Sequence, residues 1–140
     1  MKNTGSAQWS GGLKDGKGTI STKMGALAAV PYNFSMRFEG AKGTNPEELI
    51  GAAHAACYSM ALSMILGEHD MVADDISTKA DVTLDQVDGG FAITKVHLDV
   101  TATIPGADAA KFKEAAEAAK KGCPVSKVLN AEITMDAKLA

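Results

Sequence analysis

Two cysteines, Cys57 and Cys123, are the only thiols of the chain, and they stand in unlike surroundings. Cys57 lies inside an apolar run, Ala52-Ala53-His54-Ala55-Ala56-Cys57-Tyr58-Ser59-Met60-Ala61-Leu62, whereas Cys123 lies in Lys120-Lys121-Gly122-Cys123-Pro124-Val125-Ser126. A thiol with a distant second thiol is what peroxide-reducing chemistry requires. One sulfur is oxidised to a sulfenic acid, and the other closes a disulfide on it. The plainer reading of Cys57 is a buried thiol acting as a small hydrophobe.

Local electrostatics do not settle which thiol attacks. The helical neighbours of Cys57 at three and four positions are Ala53, His54, Met60 and Ala61. Such an apolar setting raises a thiol pKa unless a cation arrives from elsewhere in the fold. Arg37 is a candidate for that cation. It is the lone arginine among 14 basic residues, and a guanidinium fork can hold a carboxylate while facing a thiolate. A solvated surface arginine fits the sequence equally well. Glu47 and Glu48 are nearby acids whose simpler role is to complement a helix dipole. Cys123 precedes Pro124 at an N-cap position with Lys120, Lys121 and Lys127 close by, a setting that favours thiolate. Local reasoning therefore nominates Cys123 as the attacking thiol, and a contact between Arg37 and Cys57 would outweigh it. His54, His69 and His97 have no ligand spacing with the cysteines, which argues against zinc. No serine–histidine–acid motif, phosphate loop or dinucleotide fingerprint is present.

The elements that must position these residues follow from periodicity and punctuation. Ala7–Ser10 and Gly18–Thr22 read as weak strands, and residues 33–39 alternate as a strand with Phe34, Met36 and Phe38 on one face. Asn45 as N-cap, Pro46 at the first helical position and Gly67 as stop delimit a long helix. Residues 75–86 and 91–104 alternate about Val87-Asp88-Gly89-Gly90, a long antiparallel hairpin with Ile76, Ala80, Val82 and Leu84 on one face of its first strand and Val96, Leu98, Val100 and Ile104 inward on its second. Residues 108–121 form an amphipathic helix about Phe112, Ala115, Ala116 and Ala119. A short helix from Pro124 and a strand over 131–139 complete an α+β arrangement.

The bulk composition agrees with one globular domain, 1–140. The chain is 46% hydrophobic and 22% charged, with a net charge of −3, which gives no electrostatic case for nucleic acid or an anionic membrane. No apolar leader follows Met1, so a cytosolic, redox-active use of the cysteines is the expectation. Leu49–Gly67 is uncharged and about long enough to span a bilayer. Its Ala, Gly, Ser, Cys and His content predicts instead a helix buried in protein, and a dimer enclosing two such helices is the economical way to bury it.

Thr44-Asn45-Pro46-Glu47-Glu48-Leu49-Ile50-Gly51-Ala52-Ala53-His54-Ala55-Ala56-Cys57, with Lys121-Gly122-Cys123-Pro124-Val125-Ser126 and Ala131-Glu132-Ile133-Thr134, resembles the OsmC/Ohr family of organic hydroperoxide reductases. Pro31-Tyr32-Asn33-Phe34, Arg37-Phe38-Glu39-Gly40 and Gly89-Gly90-Phe91-Ala92-Ile93-Thr94-Lys95 look like its OsmC branch. The resemblance implies an OsmC-like fold, antiparallel sheets packed around a long central helix, in an intertwined homodimer with sites at the subunit interface. It implies Cys57 as peroxidatic thiolate, Cys123 as resolving cysteine, Arg37 stabilising the thiolate and Glu47 holding Arg37. It further implies no cofactor and no metal, a hydroperoxide substrate and an external dithiol or lipoyl-type reductant. A non-catalytic thiol-redox sensor or small-ligand binding module is the rival reading. Ten helical residues between Glu47 and Cys57 amount to about 15 Å of rise and roughly 80° of rotation. Either the helix is broken, or Arg37 and Glu47 serve Cys57 of a second copy. Ala, Met, Phe and Leu near Cys57 would favour organic hydroperoxides over hydrogen peroxide.

Overall fold

Short alternating runs at the start of the chain pair into a small sheet. In the computed structural model, which describes all 140 residues, β1 (Gly5–Ser10), β2 (Lys17–Thr22) and β3 (Val30–Tyr32) lie antiparallel in the order β1-β2-β3. β3 is an addition to the elements expected from the sequence. Gly18 of β2 is opposite both Trp9 and Tyr32, whose ring centroids are 5.3 Å apart. A Cβ there would fall 2.5 Å from the Tyr32 ring and 2.9 Å from the Trp9 ring, so the missing side chain makes room for the aromatic pair.

Residues 33–39 are a correction. They form not a strand but a short helix, α1 (Phe34–Phe38). The Asn33 side chain caps it, accepting from the Met36 N–H at 3.0 Å and the Ser35 hydroxyl at 2.9 Å. Alternating apolar residues do not exclude a helix, because Phe34 and Phe38 are also four apart and meet on one helical face, with centroids at 4.9 Å.

The chain divides into two compact units, Met1–Leu49 and Ile50–Ala140. α2 (Pro46–Glu68) begins in the first and continues through the second. Asn45 caps it by accepting from the Glu48 N–H at 2.8 Å. The helix is unbroken between Glu47 and Cys57, which removes the first of the two alternatives above.

In the second unit, β4 (Asp75–Val87) and β5 (Gly90–Thr103) form the expected hairpin. α3 (Ala109–Gly122) and α4 (Pro124–Val128) follow, then β6 (Glu132–Leu139). β6 pairs parallel to β5, from Lys95↔Glu132 to Ala102↔Leu139, because the two helices carry the chain back to the end where β5 began. All the other strand pairings are antiparallel.

The core sits under this sheet. Tyr58, Leu62 and Leu66, one helical face of α2, are fully buried with Val96, Leu98 and Val100 of β5 and Ala115, Ala116 and Ala119 of α3. Each large aliphatic side chain buried in this way contributes about 1.5–3 kcal/mol. Gly51 lets α2 approach β4: a Cβ at that position would lie 3.0 Å from the Ala80 carbonyl oxygen. α2 is also long and apolar enough to cross a membrane, and Met60 and Met64 on its other face are 77% and 65% exposed in the single chain.

Candidate active site

The fold brings the two thiols together. Cys57, near the middle of α2, and Cys123, which links the end of α3 to the start of α4, have their sulfurs 2.8 Å apart, with the Cys123 thiol donating. Both are free thiols. A disulfide needs about 2.05 Å, so less than 1 Å of further approach separates the pair from a covalent bond. The two differ in access: Cys123 is fully buried, and Cys57 is only partly so. As expected from its apolar helix, burial pushes the Cys57 thiol above its ordinary value. The contact with Cys123 raises it further, while the Val125 backbone N–H opposes both. Cys123 occupies the N-cap position of α4, but its side chain does not cap that helix.

Arg37 and Glu47 meet in the first unit. The Arg37 Nη2 is 2.8 Å from Glu47 Oε1 and its Nε is 3.3 Å from Oε2. Arg37 also lies 5.2 Å from the Phe38 ring centroid, a cation–π distance. A cavity of about 180 Å³ beside it is walled by Trp9, Leu13, Tyr32, Phe34 and Phe38. A larger cavity of about 580 Å³, between residues such as Ile20, Leu27 and Leu49, carries no thiol and no charged side chain.

The sequence matches the family described as OsmC-like protein over residues 39–138. The chain belongs to this family. It is 59% identical to peroxiredoxin OsmC of Escherichia coli over 135 residues, 96% of this chain and 94% of that one. It is 32% identical to the organic hydroperoxide resistance protein OhrB of Bacillus subtilis over 102 residues, 72% of this chain and 73% of that one. The crystal structure of that OhrB matches the fold with a TM-score of 0.70, covering 96% of this chain and 98% of OhrB, at 28% identity.

Within this OsmC-like frame, one polar pair beside the thiols was not singled out from the sequence. His54 is fully buried, and its Nε2 is 2.7 Å from the Ser126 hydroxyl, while Nδ1 has no partner. The signal was present: His54 lies three residues before Cys57, and Ser126 three residues after Cys123. Of the other histidines, His97 binds across the β5–β6 pairing, to the Thr134 hydroxyl at 2.7 Å and the Asp136 carboxylate at 3.3 Å. It ties the parallel strands together, away from the thiols' hydrogen bonds.

Proposed function

We propose that this cysteine-based peroxidase reduces organic hydroperoxides to alcohols through Cys57, with Cys123 as the resolving thiol. The observation that carries the reading is the 2.8 Å approach of a partly accessible sulfur to a fully buried one. A hydroperoxide arriving from solvent meets Cys57 first. The Cys57 thiolate attacks the peroxide, the O–O bond breaks, and the departing alkoxide takes up a proton and leaves as alcohol. Cys57 is then a sulfenic acid. Cys123 attacks its sulfur, the S–O bond breaks, water leaves with the Cys123 proton, and a disulfide remains. An external dithiol, of lipoyl or other type, exchanges with that disulfide and restores both thiols. The cycle draws on no cofactor and no metal.

Arg37 supplies the charge that burial denies Cys57, stabilising the thiolate and the leaving oxygen, and Glu47 holds its fork in place. Because α2 is unbroken from Glu47 to Cys57, the pair serves Cys57 of a second copy in a homodimer. The exposed Met60 and Met64 face of α2 is the apolar surface that such a dimer would cover. The aromatic cavity beside Arg37 suits the organic portion of a hydroperoxide, and hydrogen peroxide gains nothing from it. A net charge of −3 accords with a cytoplasmic protein that engages neither nucleic acid nor an anionic membrane.

The test is consumption of cumene hydroperoxide with excess dithiol by the unaltered protein, Cys57→Ser and Cys123→Ser. Multiple turnover lost in Cys57→Ser and decaying by self-inactivation in Cys123→Ser supports both roles. Turnover that survives Cys57→Ser would reverse the assignment. Disulfide formation with stoichiometric peroxide but no turnover would indicate a redox sensor.

A further inference from the structure

The two side-chain links between α2 and the Cys123–Val128 segment share one register. His54 pairs with Ser126 and Cys57 with Cys123, so a step of three residues forward on α2 matches three residues backward on the other segment. Three residues is close to one helical turn, and the two pairs therefore stack as successive rungs. The residues of α4 itself are lightly packed. It spans five residues, none of them buried, and Val128 is 76% exposed. Its apolar attachments are the buried Cys123 at its N-cap, the partly buried Val125 and the flanking Leu129, and the Val125 backbone N–H also faces Cys57. The His54 ring, in contrast, is fully buried with Nε2 committed to Ser126 at 2.7 Å. A buried imidazole deprived of that hydroxyl would lose its single polar partner, a costly state.

We propose that the His54–Ser126 hydrogen bond is a positioning clamp that keeps Cys123 in register for disulfide closure and so protects Cys57 from over-oxidation. The proposal rests on the resolving role of Cys123 argued above. After the first step the Cys57 sulfenic acid has two fates. Cys123 can form the S–S bond, with the S–O bond breaking and water leaving. Alternatively a second hydroperoxide can transfer an oxygen, giving sulfinic acid and another alcohol. The clamp acts on the first fate alone, because it holds the resolving segment and touches neither the Cys57 sulfur nor the peroxide.

The experiment mixes reduced protein with graded cumene hydroperoxide, without dithiol, and reads the Cys57 disulfide-to-sulfinic ratio by mass spectrometry. Ser126→Ala should lower that ratio about 3- to 10-fold, the effect of one net hydrogen bond, with the rate of the first hydroperoxide consumed unchanged. His54→Gln should lower it by less, and Ser126→Thr, which keeps the hydroxyl, should return it toward the unaltered value. In a Cys57→Ser background, Ser126→Ala should also speed alkylation of the buried Cys123. An unchanged ratio in Ser126→Ala, or an equal slowing of the first step, would overturn the clamp while leaving the resolving role intact. Absence of any Cys57–Cys123 disulfide in the unaltered protein would overturn both.

Discussion

Arg37 and Glu47 are joined by two hydrogen bonds, so that a guanidinium 38% exposed is pinned by a carboxylate only 12% exposed. The carboxylate is the better-buried partner and is fixed in the first turn of α2. The arginine comes from the last turn of the short helix α1. The pair thus presents a cation of fixed direction at a place where water still reaches it.

That geometry separates the pair's effect on rate from its effect on stability. A partly exposed ion pair contributes about 0–1 kcal/mol to folding, whereas a charge-assisted bond lost at the reacting centre costs roughly 1.5–3 kcal/mol. Glu47→Gln should therefore lower kcat/KM for cumene hydroperoxide by about 10-fold or more, while thermal unfolding shifts by no more than about 3 °C. Arg37→Lys should behave similarly, because an ammonium keeps the charge and loses the fork. Equal losses in rate and in stability would assign the pair a structural role.

The thiol chemistry gives a pH prediction of defined sign. Burial and the neighbouring Cys123 raise the Cys57 pKa, so without a cation the reactive thiolate is depleted at neutral pH. In Arg37→Gln, the rate of Cys57 alkylation by iodoacetamide should keep climbing beyond the range of an ordinary thiol. In the unaltered protein the midpoint should lie lower. Superimposable profiles would remove Arg37 from the thiolate's surroundings.

The proposed homodimer makes its own demand on α2. Met60 and Met64 are exposed in the single chain, and they lie four residues apart on one helical face. Placing a charge in a contact that buries them leaves it unpaired, at a cost of several kcal/mol. Met60→Lys and Met64→Lys together should shift sedimentation equilibrium toward monomer and abolish turnover, with the circular dichroism of the second unit's helices retained. A variant that stays dimeric would place the interface elsewhere.

Much of this arrangement was legible in the sequence, and the failures have physical causes. The caps and punctuation placed α2, the hairpin and α3 within a residue or two, and the face of Phe112, Ala115, Ala116 and Ala119 is buried as its spacing predicts. α1 departs from the expected strand because Phe34, Met36 and Phe38 satisfy an alternating pattern, while the deciding interaction is a side-chain cap from Asn33. The parallel pairing of β6 depends on where the α3–α4 crossover returns the chain, which periodicity does not encode. Cys57 and Cys123 were visible as a pair, but their separation of 2.8 Å is a product of tertiary packing. His54 offers the sequence only a polar neighbour for Cys57 without metal-ligand spacing, because its partner Ser126 stands 72 positions away.

That buried histidine also gives the fold an acid-sensitive contribution to stability. Burial holds the His54 imidazole below its ordinary value of 6.5, so the folded chain resists a proton that the unfolded chain accepts. Its stabilising contribution is complete above pH 6.5. It declines as the unfolded state takes up that proton and is lost as the pH falls through the depressed folded value. The urea midpoint of the unaltered protein should drop between pH 7.5 and pH 5 by more than that of His54→Gln, which has no titrating group at this position. His97 is hydrogen-bonded to Thr134 beside Asp136, so His97→Gln provides the matching histidine control and should retain the acid sensitivity due to His54. Parallel pH dependences in the unaltered protein and His54→Gln would refute the assignment.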